Sequence, residues 1–179
     1  MTQQDHTNDT APQSGRAAIY TRVAPGARSR STQPQTETLI ELANEQGYPN
    51  ERIIVYEDVG VSARKPIAMR GAFSDLVNAL IEPEPEQGNI QTILAASVDR
   101  LFRDANAVDI ALFIQTCTQQ GVQLVTPEMV YDFQDAAHVA QFRFLCEQAT
   151  QYQQEQLASR LRLGKQQRKR VTGKTAGDL

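Results

Sequence analysis

Short apolar runs alternate with helix-periodic stretches along most of the chain. After a polar, turn-rich opening over residues 1–15, expected to be disordered, Ala17–Val23 (AAIYTRV) reads as a buried first strand. Ala24–Pro34 then reads as a loop, with two prolines, a glycine and arginines. Over Thr36–Gln46, Leu39, Ile40, Leu42 and Ala43 share one helical face, and Gly47 closes the helix. Ile53–Tyr56 is a second strand, and Glu57–Ala68 is loop-like, with Gly60, Ser62 and Pro66. Phe73, Leu76, Val77, Leu80 and Ile81 mark another helix, which Pro83 and Pro85 end. Ile90–Ala96 is a third strand. Ala105–Gln120 predicts a helix with Val108, Leu112, Phe113 and Cys117 facing inward, and Val122–Val125 a fourth strand.

This alternation predicts an α/β fold: an open, mostly parallel sheet of four or more strands with helices on both faces. Ligands of such sheets meet the loops at the carboxyl ends of the strands. Here those loops are Arg22–Arg30, Glu57–Arg64 and Ser97–Arg103, and each carries arginine.

The last segment departs from the pattern. From Ala136 to Arg170 there is no proline and one glycine, Gly164. Phe142, Leu145, Ala149 and Tyr152 recur at helical spacing, and Leu157 and Leu161 extend an adjoining stripe. A helix of about 30 residues reaches roughly 45 Å, so it is expected to project from the domain and to need a partner chain for its stripe. The alternative is a surface helix packed on its own sheet. The expected organisation is a tail over 1–15, an α/β domain over 16–135, a long dimerisation and DNA-contacting helix over 136–170, and a flexible end over 171–179.

Charge sharpens this division. The 179 residues carry 18 Lys+Arg and 21 Asp+Glu, a formal net charge of −3. Eleven basic and twenty acidic residues precede Arg160, giving −9, whereas seven basic residues against Asp178 give the remainder +6. An acidic body with a basic end suits a localised anionic partner. Ordinary hydrophobic content, no bilayer-length apolar run and no apolar leader predict an intracellular, cytoplasmic protein without membrane attachment. Cys117 and Cys146 read as small buried hydrophobes. His6 and His138 sit far apart with no Cys or carboxylate at metal-ligand spacing, so no metal site is expected.

The convergence of Arg22, Asp99, Arg100 and Arg103 at strand ends is the main chemical signal. Guanidinium groups grip phosphate bidentately and stay charged at working pH. Clustered arginines can stabilise a transferring phosphoryl group without metal. In Asp99–Arg103 (DRLFR), Arg100 and Arg103 would share a helix face, and Asp99 is suited to cap that helix.

YTRVA (Tyr20–Ala24), GVS (Gly60–Ser62), MRGAF (Met69–Phe73) and VDRLFRD (Val98–Asp104) resemble, in order, motifs of the serine recombinase catalytic domain, the resolvase, invertase and large serine integrase group. The resemblance covers about residues 16–165 and likens the terminal helix to that family's dimerisation helix. It implies DNA cleavage and strand exchange through a 5′-phosphoserine intermediate, with no metal or nucleotide cofactor, so no cofactor is expected. It also implies DNA as partner, a homodimer or tetramer, and placement of Arg22 beside the nucleophile. Asp99, Arg100 and Arg103 match the family's acid and arginines. Ser62 and Arg70 match its phosphate-contacting serine and arginine, and Gln35 its glutamine.

One departure decides the chemistry. The nucleophile position falls on Ala24, and a methyl group cannot attack phosphorus. Pro25 stiffens the loop after it. Thr21, Ser29, Ser31 and Thr32 are nearby hydroxyls, but Ser31 could substitute only if the loop folded back beside Arg22. Ala24 fits a trapped form of an active enzyme, a natural loss of catalysis that preserves binding, or a decayed remnant. A second departure is Gln153 and Gln154 after Tyr152, where the family carries an acid; Glu155 comes one or two positions late.

The basic end, with Arg160, Arg162, Lys165, Arg168, Lys169 and Arg170, has the density of a phosphate-binding segment. With the sequence stopping at Leu179 and no helix-turn-helix or zinc module following, base-specific reading is not expected. Two functions remain: a recombinase domain with its nucleophile replaced, and an inactive regulatory protein that binds DNA or a full-length recombinase. A phosphorylation-type receiver fares poorly, because Arg22 stands where an acidic pair would follow the first strand.

Overall fold

A computed structural model describes residues 15–27, 31–83, 88–103 and 107–148. Its elements are β1 (Arg16–Val23), α1 (Gln33–Glu45), β2 (Ile53–Val59), α2 (Gly71–Ile81), β3 (Ile90–Ala95), α3 (Val98–Leu101), α4 (Ala107–Gln120), β4 (Gln123–Val125) and β5 (Val130–Asp132). A final helix, α5, is described over 136–148. The sheet order is β2-β1-β3-β4-β5. The first four strands are parallel, and β5 runs antiparallel to β4. The expected α/β architecture is therefore present.

β1 lies at the centre of the parallel region and is buried from Ala17 to Val23, as a strand covered on both faces must be. Its alternation divides the core in two. Ala17 and Ile19, with Leu94 and Val125, pack under Leu39, Ala43 and Tyr48 on the α1 side. Ala18 and Tyr20, with Ile93, Ala95 and Leu124, pack under α2 and α4 on the other.

Several expected boundaries shift. α1 begins at Gln33, so Pro34 belongs to its first turn and not to the preceding loop; the missing N–H of proline costs nothing there. The hydroxyls of Thr32 and Thr36 both donate to Glu57 Oε1, at 2.8 and 3.0 Å, which fastens this end of α1 to β2. β2 runs on to Val59, three residues past Tyr56, because β1 continues to pair with it through Val23↔Val59. The three-residue β5 was not anticipated. It follows a tight turn in which Thr126 N–H donates to Met129 O at 2.9 Å.

The inward face of α4 is Ile110, Phe113, Ile114 and Cys117, at the helical spacing of three and four. Val108 (74% exposed) and Leu112 face outward, contrary to expectation, as does Ile81 at the end of α2. Burial pushes both thiols above their ordinary pKa, Cys146 to about 12, so they are inert apolar filling at neutral pH.

α5 also alters the expected picture. Its first turns do not project: Phe142 and Cys146 are buried in this domain's own core. The Phe142 ring lies 5.2 Å from Phe133, 5.7 Å from Tyr131, 6.0 Å from Phe113 and 6.1 Å from Phe102. The continuation through Ala149, Tyr152, Leu157 and Leu161, and Glu155 with it, lies outside the described residues.

Because Phe142 has 0% exposure and sits among four aromatic rings, Phe142→Ala is expected to lower unfolding free energy by about 3–5 kcal/mol. Urea denaturation measures this. A loss below about 1 kcal/mol, the scale of a surface change, would mean that α5 does not close the core.

Candidate phosphate-binding site at the ends of the central strands

The connection through α1 places β2 on one side of β1, and the connection through α2 places β3 on the other. This reversal opens a crevice at the carboxyl ends of β1 and β3, where open α/β sheets receive ligands. Three segments border it: the turn after Val23, the loop Gly60–Arg64, and Ser97–Arg103.

The first is a tight turn over Ala24–Ala27. Ala27 N–H donates to Ala24 O at 3.2 Å, and Gly26 has φ +72°. Proline followed by a left-handed glycine at the two central positions is the composition a type II turn requires. Ala24 is half-buried at its start. The second loop is hooked to the end of β1 by Gly60 N–H, which donates to Val23 O at 2.9 Å.

Arg22, just before the turn, joins the other two segments. Its side chain is 1% exposed. Nε donates to Arg100 O at 3.0 Å, Nη1 to Val61 O at 3.0 Å, and Nη2 to Asp99 O at 3.4 Å. Burial draws its pKa down to about 10, opposed by Tyr20 and reinforced by Arg103, Arg100 and Arg70, yet it remains protonated at neutral pH. Arg22, expected to face a phosphate, instead points inward onto carbonyls.

Arg70, at the N-terminus of α2, is fully buried as well. Its Nη1 donates to Leu101 O, and its Nη2 to the Tyr20 hydroxyl at 2.7 Å and to Arg100 O at 3.3 Å. Its guanidinium carbon lies 4.0 Å from the centre of the Phe73 ring, a cation–π contact. The Tyr20 hydroxyl in turn donates to Asp58 Oδ2 at 2.8 Å. Asp58 Oδ1 accepts Ala72 N–H at 3.0 Å, and Oδ2 accepts Phe73 N–H at 3.4 Å. A carboxylate from β2 thus satisfies two of the orphan amides in the first turn of α2. Burial raises the Tyr20 phenol above its ordinary pKa, so it stays a neutral donor.

Asp58 and Tyr20 were missing from the sequence-derived site. With β2 cut at Tyr56, Asp58 read as a loop acid. The alternation of Ile54, Tyr56 and Asp58, continued two residues further, would have placed a carboxylate on the core face, where an acid is rare enough to be informative.

The Ser97–Arg103 segment also differs from expectation. α3 is four residues long, and Phe102 is extended at φ −130° and ψ 133°. Arg103 therefore lies beyond the helix, not one turn along the face of Arg100. Ser97, not Asp99, occupies the N-cap position. Asp99 accepts the Ser97 hydroxyl on Oδ1 and pairs through Oδ2 with Arg103 Nη2 at 2.6 Å. Burial alone would raise the Asp99 pKa, but these two hydrogen bonds and the Arg100 charge outweigh it and hold the carboxyl below its ordinary value.

Arg100 is half-buried, and its Nε is buried without a partner. Ser62 is half-buried, its Oγ accepting Arg64 N–H at 3.3 Å. Gln35 lies in the first turn of α1 with a buried, unpartnered Oε1. Ser31 Oγ is occupied locally by Gln33 N–H at 3.1 Å. Arg160, Arg162, Lys165, Arg168, Lys169 and Arg170 lie outside the described residues, as does Ser29. The cationic crevice suits an anion; among the described residues no three His, Cys, Asp or Glu side chains come together as a metal site would require.

A carboxyl whose folded pKa is depressed stabilises the fold above its unfolded value, about 3.9, and loses that contribution as pH falls through the folded value. Asp99→Asn is therefore expected to cost up to about 1 kcal/mol at pH 7, the pair being 29% and 24% exposed. The deficit should close in acid. Urea titrations of both proteins, stepped from pH 7 to about pH 3, decide; a deficit unchanged across that range would show that the Asp99 charge is not its source.

The model of the resolvase N-terminal domain family matches residues 17–174. Among solved structures, the N-terminal catalytic domain of TP901-1 integrase is similar in fold, with a TM-score of 0.54 at 24% identity. The match covers 78% of this chain and 97% of that one. The C-terminal catalytic domain of ISC1926 TnpA, an IS607-like serine recombinase, matches at TM-score 0.48 and 21% identity, over 62% of this chain and 69% of that one. No curated protein matches the chain. With that family model spanning all five strands and the three segments that border the crevice, the chain belongs to the resolvase N-terminal domain family, that of the serine recombinases.

Proposed function

We propose that the chain occupies DNA as a recombinase-type domain, holding a backbone phosphate at the β1/β3 crevice, and that Ala24 leaves it unable to cut. The observation that carries this reading is the convergence of two loops on one buried guanidinium at the end of β1. Arg22 gathers the carbonyls of Val61, Asp99 and Arg100, and so sets Arg100 and Arg103 around the crevice with Ala24 two residues away in sequence. Guanidinium groups there would neutralise phosphate oxygens. Serine at position 24 would supply the missing attack on phosphorus. Its Oγ would form the P–O bond, the 3′ oxygen would leave and take up a proton, and a 5′-phosphoserine would remain. Without that hydroxyl the same surface binds and does not cleave, which favours a regulatory role on DNA or beside an active recombinase. The domain over 16–135 would supply the phosphate site. Residues 136–170 would supply dimer contact and DNA tracking, with the basic residues from Arg160 to Arg170 on phosphates.

Ala24→Ser is expected to form proteinase-sensitive covalent adducts with a supercoiled plasmid pool of random inserts, scored by retention of denatured complexes, while the parent protein forms none. Adducts by the parent would assign the nucleophile to another hydroxyl and overturn the inactive reading. A parent protein that fails to bind duplex DNA even at low salt would overturn the DNA reading. Replacing Arg160, Arg162, Lys165, Arg168, Lys169 and Arg170 with glutamine should flatten the dependence of log affinity on log salt by up to about 5. An unchanged slope would remove this segment from the interface.

A further inference from the structure

The opposite end of the sheet carries a cavity of about 400 Å³, against the amino-terminal ends of β3 and β4. Thr92 on its wall is five residues, about 16 Å of extended strand, from Ser97 at the crevice. Five carboxamides line it, from Gln46, Asn89, Gln91, Gln120 and Gln123, and among the described residues no Lys, Arg, His, Asp or Glu does. In a chain of which 22% is charged, an uncharged lining around a volume of small-molecule size sets this cavity apart.

Below the carboxamides lie two hydroxyls. Tyr48 is 3% and Thr92 7% exposed, and Tyr48 Oη stands 2.8 Å from Thr92 Oγ1. Two hydroxyls hold two O–H donors, and the bond between them uses one. The second has no acceptor among the described residues. A buried donor left in that condition is costly, and an acceptor atom brought in by a ligand would satisfy it.

The backbone beside this pair is irregular. β1 pairs with β3 as Arg16↔Ile90 and then as Ala17↔Thr92, so Gln91 is an extra residue in the strand. A bulge of this kind re-aims side chains and is frequent beside binding sites. Gly15 N–H donates to Gln91 Oε1 at 3.1 Å, which fixes that carboxamide at the rim. The approach needs glycine, because a β-carbon at position 15 would fall 2.3 Å from Gln91 Cδ.

Electrostatics narrows the ligand. α1 ends at the cavity with Gln46 as its C-cap, and α4 ends there with Gln120. Helix carboxyl ends carry partial negative charge, so a phosphate or carboxylate would meet two unfavourable dipoles and no cation. A cation would meet no carboxylate in the lining. A carboxamide presents a donor and an acceptor side by side, the pattern that matches the edge of adenine. We infer that this cavity binds a neutral purine nucleoside without phosphate. The carboxamides read the donor–acceptor edge of its base, and the spare hydroxyl of the Tyr48–Thr92 pair donates to a ring nitrogen. This assignment depends neither on the DNA reading nor on Ala24.

Titration of the full chain with adenosine, AMP and glucose, followed by amide nitrogen–proton NMR, tests it. Adenosine is expected to shift the amides of Gln46, Asn89, Gly121 and Gln123 with a Kd below about 1 mM, and to leave Gly60 and Arg103 at the crevice unmoved. AMP, read at the same cavity amides, should bind about fivefold more weakly. No adenosine shifts at the cavity up to that concentration would overturn the assignment, as would glucose binding there as tightly. AMP binding there as well as adenosine would sink the argument for a phosphate-free ligand. Gln120→Ala and Gln123→Ala change exposed side chains, and at least one of them should weaken adenosine about tenfold. Parent affinity in both would remove the carboxamides as readers and overturn the assignment. Thr92→Val keeps the branched shape and removes one hydroxyl, and should weaken adenosine by about two- to tenfold.

Discussion

The structure depends on a guanidinium buried without a carboxylate. Arg22 stands at the end of the central strand, where a desolvated cation would be severely unfavourable if left alone. Its compensation comes from backbone dipoles: three carbonyls, from loops that follow two different strands, turn inward to meet its donors. That requirement closes the loops over the end of β1. It also gives the crevice its sign, since carbonyls satisfy hydrogen-bond donors without cancelling net charge, and Arg70, Arg100 and Arg103 all add to the positive field around Arg22.

The balancing charge lies off to the side. Asp58 reaches the arginines only through the Tyr20 hydroxyl, and much of its hydrogen-bonding capacity goes to the amides at the start of α2. Asp99 is turned toward Arg103 and Ser97. Neither acid makes an ion pair with Arg22 or Arg100 among the described residues, so the centre of the crevice keeps its positive potential. A site of this kind is prepared for an anion before one arrives. Ala24 opens the turn beside it, with Pro25 and Gly26 in the central positions, and on the proposed reading this is where a nucleophilic hydroxyl would stand.

Much of the fold was legible because it is written in periodicity. The continuous apolar run of β1 announces a strand covered on both faces, and the spacing of Phe73, Leu76, Val77 and Leu80 announces the inward side of α2. Legibility failed where an element is set by its neighbour. β2 continues past Tyr56 because β1 is there to pair with it. β5 exists because β4 offers an edge. Val108 and Leu112 carry the right chemistry for a core and face outward, since Ile110, Phe113, Ile114 and Cys117 fill the space against α2 and α5.

The same division holds for the site. Residue types and order along the chain determined which groups gather at the strand ends: Arg22, Arg70, Asp99, Arg100 and Arg103. They also determined that an acidic body carries a basic end. Only the tertiary structure decided that two of the arginines turn inward and that Asp58 and Tyr20 belong with them. It also decided that Asp99 pairs with Arg103 and accepts the hydroxyl of Ser97, the residue at the N-cap position. The physical reason is that a side chain's role follows from which hydrogen-bond acceptors lie within about 3 Å of it. For Arg22 and Arg70 most of those acceptors are main-chain carbonyls from distant parts of the chain, which side-chain identity does not reveal.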